Sequence, residues 1–228
     1  MTIFFLVKVF DEEQHAEDFV RGKLYSNRLS YFRKLEESEA ANRGDRYEGV
    51  VDWHQPSEIE IVINGRTLTD LAGPVSVQMN WHDHINVFCV YAAHSGSFES
   101  LTHENLADFK RQLEISEDCQ KLGGHAVLVT NVTQFFERVR SAARENNYGL
   151  SSGLVEYYNP ETFSGSFSEN EAIFKKRDEF QHQKEYRFAI DTGVEGDKPI
   201  TLEIGDISDI TSRCNVMDIN NSLEIKLP

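Results

Sequence analysis

The segment FQHQKEYRFAI, residues 180–190, sets an amide, a carboxylate and a guanidinium at every second position: Gln183, Glu185 and Arg187. In a strand, residues two apart point the same way. These three would then line one face while Lys184, Tyr186 and Phe188 line the other. An amide that both donates and accepts, beside an ionised carboxylate, suits a cleft that fixes a polar substrate. The same letters also describe a solvated strand edge on which Glu185 and Arg187 pair across strands for at most about 1 kcal/mol. Spacing alone leaves both readings open.

Three other stretches carry chemistry-bearing residues. In NRGDRYEG, residues 42–49, Arg43, Asp45, Arg46 and Glu48 alternate in sign around Gly44 and ahead of Gly49. Such a loop could clamp a phosphate or substrate, with Arg43 giving planar bidentate hydrogen bonds. It could equally be a turn stitched by ion pairs of Asp45 with its own arginines. In WHDH, His82 and His84 would share a strand face beside Asp83, but no third or fourth ligand follows at familiar spacing, so no metal site is assigned. Cys89 lies in the most apolar run of the chain, where a thiol is a small buried hydrophobe.

The elements that must position these residues follow from periodicity and breakers. IFFLVKVF near the start reads as a buried strand, and DEEQHAEDFVRGKL reads as a helix with an acidic first turn. LYSNRLSYFRKLEES reads as extended and then helical, and ANRGDRYEGVVDWHQP as an irregular loop. EIEIVINGRTL is a hairpin: Ile59, Ile61 and Ile63 alternate with polar partners, and Asn64-Gly65 supplies two left-handed residues for a tight turn. INVFCVYAA, apolar almost throughout, predicts a central strand buried on both faces. LTHENLADFKRQL and TQFFERVRSAARENN have helical spacing, and HAVLVTNV lies between them as a strand. A short helix over the IFKKRDEF region would deliver the 183–187 strand, and SLEIKLP would close the chain as a last strand. Irregular alternation with hairpins predicts an α+β fold: one domain over residues 1–228, its mixed, largely antiparallel sheet able to split and flanked by helices.

The totals narrow the function classes. With 23 Lys and Arg against 38 Asp and Glu, the 228 residues carry a net charge of −15, which opposes attachment to phosphate backbones or anionic lipid. Direct nucleic-acid binding is thus disfavoured, although Lys175, Lys176, Arg177, Lys184 and Arg187 could form a local basic groove. Three cysteines, Cys89, Cys119 and Cys214, without a C-x-x-C pair, argue for reduced thiols. Neither a signal peptide nor a run of about 20 apolar residues is legible, so no membrane is expected and the location expected is cytoplasmic.

The order GKLYSNRLSYFRKLEE, NRGDRYEG, NVFCVYA, LVEYYNP and IFKKRDEFQHQKEYRF resembles bacterial and phage proteins related to the family known as domain of unknown function 2971, over roughly residues 1–190. Those proteins carry a Phe-x-x-Lys helix before a Glu-x-Glu-x-Arg-like strand, matched here by Phe174 with Lys176 or Arg177, and by Gln183, Glu185 and Arg187. They are in turn distantly similar to ADP-ribosyltransferases. The resemblance implies an enzyme that transfers ADP-ribose from NAD to a macromolecular acceptor, as a bacterial or phage toxin or defence effector would. Loss of nicotinamide leaves positive charge on the ribose, and a fixed carboxylate beside it stabilises that state. Glu185 would be that carboxylate, and Gln183 would position the acceptor. In that superfamily the first core strand offers His or Arg to the nucleotide, where this chain has only Lys8. The aromatic near nicotinamide would be Tyr25 or Tyr31. The nucleotide set implied is Lys8, Tyr31, Arg43 and Arg187.

A reading from a different class competes with it. A chain of charge −15 could be a non-enzymatic binding protein, an inhibitor or a nucleic-acid mimic, that engages a basic partner. In sequence the two readings separate on where the acids lie: a mimic needs a dense stripe, whereas here they scatter over every segment. In structure they separate on Glu185, which an enzyme needs facing a cavity.

Overall fold

The computed structural model describes residues 1–36 and 44–227. The fold is α+β, with helices on both faces of a largely antiparallel sheet. At its centre lies the strand Asn86–His94, the apolar run picked out above. One of its edges pairs with Glu185–Asp191, Glu185 opposite Tyr91 and Ile190 opposite Asn86. The other edge is divided. Asn86 and Val87 pair with Arg28 and Asn27, whereas Tyr91 to His94 pair with residues of Ile3–Phe10. The sheet therefore splits along its central strand. One branch continues through His125–Val129 to Thr211–Asn215, and the other from Lys23–Arg28 to Ile200–Glu203.

Period-two alternation assigns the two faces. Leu6, Phe88, Val90, Tyr186 and Phe188 point toward the helices Glu13–Val20 and Val132–Glu145, where Phe19 and Phe135 complete the larger core. Val7, Tyr91 and Ala93 point the other way, against Phe109 and Leu113 of the helix Leu106–Leu113 and Ile219 of Val216–Ser222. On that second face Glu185, Arg187 and Ala189 succeed one another along their strand. The long helix starts at Asn131, whose side chain accepts from the Gln134 N–H at 3.0 Å. Asn131→Ala is expected to cost about 1 kcal/mol, read as a lower urea midpoint with an unchanged slope.

Several expectations are corrected. Val50–His54, expected within an irregular loop, is a strand pairing with Val75–Gln78. His82 and His84 lie on the 3-10 turn Asn80–His84 rather than on a strand. Lys175–Arg177 is a short strand, held parallel to Glu156–Tyr158, where a helix was expected. Residues 223–227 do not form the closing strand. In each case the local pattern was ambiguous over three to five residues; pairing with a distant segment made strands of Val50–His54 and Lys175–Arg177, and residues 80–84 and 223–227 are not strands.

Candidate functional site: a buried ion network on the sheet

Gln183 does not begin the strand. It ends a 3-10 turn, Asp178–Gln183, and the strand begins at Glu185. Between them Lys184 takes a left-handed conformation, φ 38° and ψ 51°, which costs a non-glycine residue of order 1–3 kcal/mol. Neighbouring contacts hold it: the Lys184 ammonium donates to the Gln112 carbonyl at 2.6 Å, and its own carbonyl accepts from Ala92 N–H at 2.9 Å. The kink turns Gln183 and Glu185 toward one point, the Lys176 ammonium, which donates to Gln183 Oε1 at 2.7 Å and Glu185 Oε1 at 2.8 Å.

The other carboxylate oxygen of Glu185 accepts from Arg187 Nη2 at 2.9 Å. Arg187 also grips Glu48 with both ends of its fork, at 2.8 and 3.1 Å, and donates to the Ile173 carbonyl at 2.6 Å. Lys176 stands 3.4 Å from Glu48, which closes the ring. All four are buried: Glu48, Lys176 and Arg187 are each 1% exposed and Glu185 8%. A second pair adjoins the ring, in which Asp45 Oδ1 accepts from the Tyr47 N–H and from Arg177, each at 2.9 Å. Arg33 reaches over from the helix Leu29–Glu36 to the Glu48 carbonyl at 2.7 Å and to Asp83. Gly49, at φ +71°, makes room for this: a Cβ there would stand 2.9 Å from Leu29 and 3.1 Å from both Arg33 and His82.

Charge states follow from this packing. Burial alone would raise the Glu185 carboxyl, but Lys176 and then Arg187 hold it well below the ordinary range. Burial would lower Lys176, yet Glu185 and Glu48 push it up. Both stay ionised. Asp45 goes the opposite way, up to about 6, because burial and the nearby Glu48 outweigh Arg177. Its Oδ2 is buried without a hydrogen-bond partner, so half the carboxylate is desolvated with nothing in return. Burial, with Glu185 next, pushes the Cys89 thiol up to about 12. It is no nucleophile at neutral pH.

The residues named from sequence thus divide. Gln183, Glu185 and Arg187 come together. Lys8 does not join them: it belongs to the opposite face, donating to the Cys89 carbonyl at 2.7 Å and lying over the Phe88 ring. Tyr31 is exposed and packs edge-on against Phe32. Arg43 lies outside the described residues. Sequence reasoning did not assign Glu48 and Lys176 to the site, although each sat in a stretch already singled out, the 42–49 loop and the 175–177 basic run. No His, Cys, Asp and Glu group that could hold a metal ion occurs among the described residues.

The cluster pairs two cations with two anions, so each charged group already has its counter-ions within the ring. A surface cavity of about 300 Å³ is lined by Leu154, Glu156, Phe174 and Lys175, and another of about 530 Å³ by Leu106, Lys110 and Leu223; neither is lined by Gln183, Glu185 or Arg187. No helix among the described residues is long and apolar enough to cross a membrane. No family model matches the chain, and no curated protein or solved structure matches it either.

Proposed function

We propose that the chain works by binding, its acidic exterior engaging a basic macromolecular partner, and that the Glu185 network is the internal brace of that surface. The single observation supporting this is how charge is distributed. Among the described residues the buried charged groups are Arg28, Lys176 and Arg187 against Asp45, Glu48 and Glu185. They cancel, so the chain's −15 resides outside them, where it raises association rates with cations and weakens with salt.

ADP-ribosyl transfer from NAD is the second reading, supported by the convergence of Gln183 and Glu185 on one ammonium. It requires Glu185 to exchange Lys176 or Arg187 for a ribose. One pair of assays separates the readings. Calorimetry with polylysine is expected to show binding that fades steeply as salt rises, and labelled NAD incubated with cell lysate is expected to give no protein labelling. Labelling by the wild type that is lost in a folded Glu185→Gln variant would replace binding with transfer. Absence of polylysine binding at low salt would remove the binding reading.

A further inference from the structure

The segment between the strands Val50–His54 and Val75–Gln78 is a hairpin on a hairpin. Its base is anchored by Trp53, buried against Tyr47 and Tyr158. Its tip is a separate two-stranded ribbon, Ile61–Ile63 with Arg66–Leu68, joined through Asn64 and Gly65 at φ 51° and 74°. Cross-strand partners share a face, so the register Ile61 to Leu68 and Ile63 to Arg66 places Ile61, Ile63 and Leu68 together, with Arg66 on the same face, while Val62 and Thr67 lie on the reverse one. Sequence alternation there has the form of a half-buried strand, yet Ile63 is 56% and Leu68 44% exposed. On the reverse face Val62 is 55% exposed beside Thr67, whose hydroxyl donates to Glu60 at 2.7 Å. Among the described residues neither tip strand pairs with any strand but the other.

An isolated two-stranded ribbon is marginal in water, and open edges beside uncovered β-branched residues invite another strand. We propose that this tip is the docking element of the binding activity: it pairs edge to edge with a basic, strand-forming segment of the partner, whose apolar side chains cover Ile61, Ile63 and Leu68. The choice of occupant rests on charge. Glu58, Glu60 and Asp70 flank the ribbon against Arg66 alone, and a second copy of a chain at −15 would bring like charges together. The inference builds on the binding reading given above.

The test uses two synthetic peptides of equal charge, one alternating Lys with Val and one alternating Lys with Gly, titrated into the full chain and into an Ile63→Thr/Leu68→Thr variant. Threonine keeps strand propensity, and an unchanged thermal midpoint confirms that the variant folds. The Lys/Val peptide is expected to bind more tightly than the Lys/Gly peptide and to lose at least about tenfold in the variant, while the Lys/Gly peptide is unaffected. Equal Lys/Val affinity for both proteins would overturn the docking element and leave the binding reading intact. Failure of both peptides to bind at low salt would instead defeat the binding reading itself. Self-association of the wild type that disappears in the variant would overturn the choice of partner in favour of a second copy.

Discussion

Arg187→Met is expected to lower stability by about 3–5 kcal/mol, measured as the urea-derived unfolding free energy at neutral pH. The side chain it removes is 1% exposed and makes four hydrogen bonds, three of them to carboxylates. Methionine fills much of the volume, so the loss comes from charge: Glu48 and Glu185 would keep Lys176 alone between them, and the Ile173 carbonyl would lose its donor. A buried ion pair need not stabilise relative to apolar residues, but one stripped of a partner strongly destabilises. Replacing Lys176 with Met and Glu185 with Leu together makes the contrast. That exchange deletes one cation and one anion and leaves Arg187 on Glu48. The double variant is expected to be more stable than the sum of its two single variants predicts by at least about 1 kcal/mol. An Arg187→Met protein within about 1 kcal/mol of wild type would show that water, rather than protein, satisfies these carboxylates.

Asp45→Asn is expected to remove from the stability curve a pH dependence that runs opposite to ordinary acid denaturation. The Asp45 carboxyl moves from an ordinary 3.8 to about 6 on folding. Between those values the native state holds a proton that the unfolded chain has released, so this group makes stability fall as pH rises through the window. Above the upper value the full penalty, roughly 3 kcal/mol, is present and constant. Asparagine retains an acceptor for Tyr47 and Arg177 but does not ionise. Subtracting the variant's stability curve from that of the wild type cancels groups common to both, including Glu185. The contribution of Glu185 has the other sign: held low in the fold, it is present above its ordinary 4.5 and lost as pH falls below. The difference curve should decline with rising pH between about 4 and 6 and then level off. A flat curve would place Asp45 in an environment as solvated as that of the unfolded chain.

The two effects have a common origin in desolvation. Where Lys176 and Arg187 supply a donor to each oxygen of Glu185, charge survives burial; where Asp45 Oδ2 has none, the proton is favoured. The neutralised ring braces the junction between the strand Glu185–Asp191, the strand Lys175–Arg177 and the 44–49 loop. The stem of the exposed hairpin starts from that loop at Val50. Under the proposed binding reading, damage to the ring is therefore expected to reach binding through stability, whereas damage to the tip would reach it directly.

Much of the architecture was determined by local sequence. Asn64-Gly65 dictated a tight turn because both residues tolerate positive φ, and the apolar run 87–93 read as a strand covered on both faces. The spacing of Phe135, Val139 and Ala142 made a helix. The same logic flagged Gln183, Glu185 and Arg187 as sharing a side, and they do converge. They reach that arrangement through a left-handed Lys184 that no propensity would assign to lysine. Tertiary structure alone decided the rest. Glu48 and Arg187 are 139 residues apart, and nothing in either neighbourhood names the other as its counter-ion. That choice depends on strand register and on which sheet face each residue occupies, as does the separation of Lys8 onto the far face. A short stretch of chain fixes dihedral preferences and periodicity, which act over a few residues; the partner of a charge, and hence whether it is free to act, is fixed only when distant segments exclude water between them.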